Sequence, residues 1–233
     1  MDYKTLYNIF DKDWLNALQD KEFEDALVKN DDYKKEVNDW LDFFDKKKWL
    51  DEKLKNRLRS GKTWASFYSK INEIRMAFFF EKKLNFYLTD YESQTINNKN
   101  VEFKARINNL ELCIEIKTLP DLIYKENLPI PEDVCDEIDK DLEKAVKQLP
   151  EDKPNIVVLA DDLRMSLLDD PRAQNDLYCL LNSSEYQKIS AVCVFGNISL
   201  ERMYEMKWAL NDNAKFLLSK EIFDNFLELP YKN

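Results

Sequence analysis

Two runs of alternating residues flank a pair of asparagines. Val101-Glu102-Phe103-Lys104-Ala105-Arg106-Ile107 alternates apolar and charged side chains, and Leu110 to Lys117 alternates again. Period two is the signature of a strand. Asn108-Asn109 between the runs suits a two-residue hairpin loop, because asparagine tolerates the positive φ that such a loop demands. If Ile107 pairs with Leu110, then Arg106 meets Glu111, Lys104 meets Cys113 and Glu102 meets Glu115. Residues 101, 103, 105, 107, 110, 112, 114 and 116 then form a wholly apolar face. A slip of one residue would bury the charges, so the pattern sets the register.

The rest of the chain is arranged around this hairpin. Residues 1 to about 88 carry apolar residues at helical spacing: Val37, Trp40, Leu41 and Phe44, then Leu54 and Leu58. A long helix is expected from about Thr63 to Leu84, with Phe67, Ile71, Ile74 and Phe78 on its apolar stripe. A first strand is expected within Asn85–Tyr91. Beyond the hairpin, a proline-containing loop leads to a helix over about Glu132–Leu149 with a stripe at Ile138, Leu142, Ala145, Val146 and Leu149. Ile156–Ala160 and Ile189–Phe195 read as interior strands covered on both faces, with a helix near Ala173–Leu181 between them. The tail offers a strand around Met206–Leu210 and a helix near Ser219–Leu227. The order predicts an α/β fold: a mixed central sheet with helices on both faces and an all-helical N-terminal extension. We divide the chain into residues 1–62, helical, and 63–233, α/β.

Composition removes several chemistries. The 233 residues contain no histidine, which excludes Ser-His-Asp and Cys-His nucleophiles, imidazole bases and His-ligated metals. Two glycines, Gly61 and Gly196, cannot make a Gly-rich phosphate loop. Cys113, Cys135, Cys179 and Cys193 form no CxxC pair and read as reduced thiols. No apolar run reaches the ~18 residues of a membrane span, and the start of the chain lacks the pattern of a leader. The expectation is a cytoplasmic protein with no membrane contact. The net charge of −10 speaks against a basic protein that coats nucleic acid. Catalysis in such a chain falls to carboxylates, lysines or a hard metal ion.

The hairpin supplies these groups. In the register above, Glu102 and Glu115 stand opposite each other with Cβ atoms about 4.5–5.5 Å apart. Two carboxylates so placed repel, and a divalent cation between them is the simplest relief; carboxylate oxygens suit Mg²⁺ or Mn²⁺. Lys117, two residues beyond Glu115, points the same way and can meet a phosphate or orient a water. The acidic-x-Lys triplet recurs elsewhere, at Asp32–Lys34, Asp51–Lys53 and Glu205–Lys207. What distinguishes Glu115–Lys117 is its strand, the facing Glu102 and an upstream helix carrying Glu73. The competing reading is a plain solvated face.

From Ser69 to about Asp162 the chain resembles the PD-(D/E)xK nuclease superfamily, whose core is that of restriction endonucleases. The resembling stretches read SKINEIRMAFFFEKKL, NVEFKARINNLELCIEIKT and DLEKAVKQLPEDKPNIVVLADD. Glu73 matches the family's acidic residue on the helix before the sheet. Glu102 matches the acidic residue of the second strand, and Glu115-Ile116-Lys117 matches the Glu-x-Lys of the third. The resemblance implies a restriction-endonuclease-like sheet and a Mg²⁺- or Mn²⁺-dependent nuclease. Glu102, Glu115 and Glu73 would be metal ligands, and these three with Lys117 the catalytic set. It favours DNA as the substrate. One departure stands out: the family's Pro-Asp is Val101-Glu102 here, which moves the carboxylate by about 1.5 Å, one C–C bond.

Other residues are weaker candidates. Glu81 lies two helical turns from Glu73 on a similar face. Lys144 and Gln148 share a face of the helix after the hairpin, the helix from which similar nucleases often present polar residues to substrate. Asp161 and Asp162 end an interior strand. The helical extension leaves room for a role in substrate choice or in a homodimer. The alternative function is a catalytically inactive interaction or regulatory protein on the same fold.

Overall fold

The computed structural model describes residues 3–16, 18, 27, 29–61, 64–94, 100–118, 131–160, 171–197, 204–222 and 227–228. Two compact units divide the chain, Met1–Asn85 and Phe86–Asn233. The boundary thus falls after Asn85 rather than after residue 62, and the long helix that ends at Lys82 belongs with the other helices.

The first unit contains α1 (Lys4–Ile9), α2 (Lys12–Asn16), α3 (Asp31–Lys46), α4 (Glu52–Ser60) and α5 (Trp64–Lys82). Helices α3 and α4 each start where a side chain caps them. Asn30 Oδ1 accepts the Tyr33 N–H at 3.1 Å and Asp51 Oδ1 accepts the Leu54 N–H at 2.7 Å, each satisfying a backbone donor that the first turn leaves unpaired. The expected stripe of α3 is buried at Val37, Trp40, Leu41 and Phe44, and that of α4 at Leu54 and Leu58. Helix α5 packs on α3 and α4 and buries Phe67, Ile71 and Ile74.

The second unit is built on one sheet. Its strands are β1 (Tyr87–Gln94), β2 (Asn100–Ile107), β3 (Leu110–Thr118), β4 (Asn155–Ala160), β5 (Ala191–Asn197), β6 (Tyr204–Leu210) and β7 (Leu227–Glu228). They lie side by side in chain order. The pairs β1–β2, β2–β3 and β5–β6 are antiparallel, while β3–β4, β4–β5 and β6–β7 are parallel. Each parallel step at the centre needs a crossover. Helix α6 (Pro131–Gln148) joins β3 to β4, and α7 (Pro171–Leu181) joins β4 to β5.

From the turn outward the hairpin forms in the expected register, with Ile107 paired to Leu110, Arg106 to Glu111, Lys104 to Cys113 and Phe103 to Ile114, but the pairing ends there and the expected Glu102–Glu115 pair lies beyond the last rung. Asn108 and Asn109 adopt φ of 47° and 68°, left-handed values that cost asparagine little.

Helices α6 and α7 cover the same face of the sheet. Ile138, Leu142 and Ala145 from α6, Leu149 just beyond its end, and Ala173, Leu177 and Leu181 from α7 share one buried cluster with Val157, Leu159, Val192 and Val194. These valines and Leu159 are paired across β4 and β5 and alternate along them, so they point to one side. They share a side because sequential parallel strands connected in the same sense place successive crossovers on the same side. Strand β4 is buried at all six residues, as its unbroken apolar run foretold.

Two asparagines that the sequence reading passed over close one end of the sheet. Asn155 Nδ2 donates to the carbonyls of Pro150, Lys153 and Lys188, at 3.0, 3.0 and 2.8 Å. Asn211 Nδ2 donates to the carbonyls of Tyr186 and Ile189, at 3.0 and 2.9 Å. Both side chains are buried and supply donors to turn carbonyls. The helix expected near Ser219–Leu227 is, among the described residues, a single 3₁₀ turn at Lys220–Ile222 followed by β7. No described helix is long and apolar enough to cross a membrane.

Candidate functional site

Strand pairing decides which way the hairpin's polar residues face. Glu115 is level with Val157 and Lys117 with Leu159 across the parallel β3–β4 pair. Both therefore point to the face covered by α6 and α7. Toward the turn this polar side is open: Arg106 and Glu111 form an exposed pair at 2.8 Å. The Arg106 guanidinium, with its hydrogen bond and its charge, holds the Glu111 carboxyl below its ordinary pKa. Toward the other end of β3 the same side is closed. The Glu115 side chain is 0% exposed and that of Lys117 15%. The solvated-face reading fails for these two residues.

A lysine and an amide satisfy part of the buried carboxylate's environment. Lys117 Nζ donates to Glu115 Oε1 at 2.5 Å and to Gln148 Oε1, from the last residue of α6, at 2.7 Å. Glu115 Oε2 is buried and accepts no hydrogen bond. An ionised carboxylate needs partners for both oxygens when water is excluded. Oε2 is therefore an orphaned acceptor on a buried acidic group.

Glu102 meets this group through the backbone. Cys113 N–H donates to Pro154 O at 3.1 Å, so Cys113, Glu115 and Lys117 turn their main-chain groups to β4, while Leu112, Ile114 and Ile116 turn theirs to β2. The antiparallel ladder stops at Phe103–Ile114. Its next hydrogen-bonded rung would take the Ile116 N–H to Val101. That N–H goes instead to Glu102 Oε2, at 3.2 Å. The half-buried Glu102 carboxylate thus meets β3 midway between Glu115 and Lys117 in sequence.

The remaining candidates are placed as follows. Lys144 lies on the exposed side of α6, 64% exposed, and donates to Asp141 Oδ1 at 2.7 Å. Glu73 is a buried residue of α5, in the first unit, and accepts from Lys70 Nζ at 2.7 Å. Glu81, on the same helix, pairs with Lys47 at 2.6 Å. Asp161 and Asp162 lie outside the described residues. Within the second unit the structure brings together Glu102, Glu115, Lys117 and Gln148.

The donors suit a hard cation. Two carboxylates, one of them with a buried oxygen lacking a partner, are oxygen ligands of the kind Mg²⁺ and Mn²⁺ prefer. Among the described residues no three or more Asp, Glu, Cys or His side chains cluster as a complete metal cage. An ion here would thus complete its shell with water or substrate oxygens, as Mg²⁺ commonly does.

Comparison with protein families finds no matching family, and comparison with curated proteins finds no match either. Among solved structures, the chain is similar to SfsA of Pyrococcus furiosus in complex with Ca²⁺, with a TM-score of 0.27 and 13% identity. The match spans 61% of this chain and 62% of that one.

Proposed function

We propose that the protein is a Mg²⁺- or Mn²⁺-dependent nuclease of the PD-(D/E)xK type, hydrolysing phosphodiester bonds in nucleic acid, with DNA as the substrate. One observation carries this reading. Glu115 is a fully buried carboxylate whose Oε1 is held by Lys117 and whose Oε2 has no partner. Most buried carboxylate oxygens find a hydrogen-bond partner, so the orphaned Oε2 leaves a place that a cation can fill.

In this reading Glu102 and Glu115 would hold the cation. The cation supplies Lewis acidity toward a phosphodiester and a water. Lys117 does the rest of the electrostatic work. Its ammonium has three N–H donors; two are spent on Glu115 and Gln148, and the side chain keeps 15% exposure. The third is available to a phosphoryl oxygen or to the attacking water, and its charge opposes the charge that builds up on phosphorus. Gln148 fixes the ammonium's direction, and Lys144 on the same helix meets the nucleic-acid backbone.

The test is a metal titration followed by thermal unfolding. Mg²⁺ or Mn²⁺ should raise the melting temperature of the wild type by mass action, and Glu115→Ala should remove the rise. Cleavage of single- and double-stranded DNA and RNA should be lost in Lys117→Ala. Equal cleavage by both proteins rejects the assignment.

A second reading, a catalytically inactive interaction or regulatory protein on this fold, draws on the lack of a three-acid cluster among the described residues and on the net charge of −10. A melting temperature indifferent to both metals would favour it.

A further inference from the structure

We infer that Glu102 is a positioning residue, a strand clamp whose extra methylene lets its carboxylate replace a rung of the sheet and hold the Glu115–Lys117 segment in place. Where the sequence departs from the Asp of the resembling family, the structure gives the longer side chain a task. The register carries main-chain pairing between β2 and β3 as far as Phe103–Ile114. One rung further on, the Ile116 N–H is satisfied by Glu102 Oε2 at 3.2 Å rather than by a carbonyl of β2. Ile116 lies between Glu115 and Lys117, and its side chain points away from theirs. Fixing its N–H therefore fixes the backbone from which both functional side chains project. A carbonyl rung would do the same, but it would hold β2 and β3 at ladder spacing. The carboxylate bond lets the strands part at the level of the site and keeps the backbone donor paired.

Length, not charge, is the property this clamp requires. Aspartate keeps the charge and is shorter by about 1.5 Å, one C–C bond, too short to reach the Ile116 N–H from the same Cα. Glutamine keeps the length and an acceptor oxygen. The purpose of the clamp rests on the nuclease reading; the hydrogen bond itself does not.

The experiment is amide hydrogen exchange of the full chain, metal-free, in the wild type, Glu102→Gln and Glu102→Asp. The Ile116 amide should stay protected in Glu102→Gln and exchange at least about tenfold faster in Glu102→Asp, the change expected on losing one such bond. The Leu112 and Ile114 amides, on the intact ladder, serve as internal controls for folding and should not change. Ile116 protection in Glu102→Asp equal to that of the wild type overturns the proposal. So does equal loss in both variants, which would make charge the operative property. A second arm separates this from the function. With Mg²⁺ in millimolar excess, the wild type should gain melting temperature and Glu102→Gln should gain less. If the Ile116 pattern holds but the wild type does not respond to Mg²⁺, the clamp stands and the nuclease reading falls.

Discussion

Lys117 on β3 and Gln148 at the end of α6 are joined by a 2.7 Å hydrogen bond from Nζ to Oε1. The bond ties the ammonium to the crossover helix, while a second donor of the same group holds Glu115, two residues back on its own strand. Among the described residues, the lysine is the charged partner of the fully buried Glu115 carboxylate.

Removing that cation should destabilise the fold more than removing the anion with it. Lys117→Met leaves Glu115 buried and uncompensated, and the unfolding free energy should fall by about 2–3 kcal/mol, below the range for a fully buried pair because Lys117 retains some exposure. Glu115→Gln combined with Lys117→Met should recover most of the loss. Urea denaturation of the two single variants and the double variant gives the coupling directly; additive losses would show that the pair does not act as a unit.

The turn makes a sharper claim about conformation. Asn109 sits at φ 68°, where a Cβ without a local polar group is penalised by about 1–2 kcal/mol. Asn109→Ala should lower stability by roughly that amount, and Asn109→Gly should match or exceed the wild type. The midpoint of chemical unfolding checks both. A neutral alanine variant would mean that the two-residue turn is not maintained in solution.

Asn155 should be a large single-site contributor. Its amide serves three carbonyls from two different loops, and the side chain is 1% exposed. Asn155→Ala leaves these acceptors to compete for a cavity, at a cost of about 2–4 kcal/mol. Asn155→Asp, which keeps the shape but loses the donors, should cost at least as much. Thermal unfolding of both variants is the measurement, and a loss below about 1 kcal/mol would contradict the bonding described.

Burial makes the thiols a pH probe. It pushes the Cys113 pKa up to about 11 and that of Cys193 higher still. Between the ordinary thiol value of 9.0 and about 11, the unfolded chain has released the Cys113 proton and the folded chain has kept it. The unfolded state then binds fewer protons, so stability falls as pH rises through this window and is fully present below it. Cys113→Ala should flatten that part of the pH profile. In the native protein the exposed Cys179 should react with a thiol reagent while Cys113 and Cys193 stay inert. Rapid labelling of the buried pair would contradict their placement.

Short-range features could be read from residues alone because their causes are short-ranged. The hairpin register follows from the apolar alternation of Val101–Ile107 and Leu110–Ile116 and from two residues able to take positive φ. Helix α6 follows from the stripe of Ile138, Leu142, Ala145 and Leu149, all buried as expected. Gln148 was identifiable as sharing a helix face with Lys144, but only the docking of α6 separates them, sending Gln148 to Lys117 and leaving Lys144 in solvent. Asn155 and Asn211 gave no signal, since an asparagine beside a turn is ordinarily a surface residue.

The sequence alone determined which residues could form strands, where the hairpin turned, and that Glu115 and Lys117 shared a side. Tertiary structure decided whether that side was wet. Alternation distinguishes one face of a strand from the other, but it cannot say what lies over each face. The crossover through α6 covers β3 beyond Cys113 and leaves Arg106 and Glu111 exposed, which turns one of two similar polar stretches into a buried site. The pairing of Ile116 with a side chain rather than a carbonyl was likewise decided in three dimensions, because only the folded hairpin brings the Glu102 carboxylate within reach of that N–H.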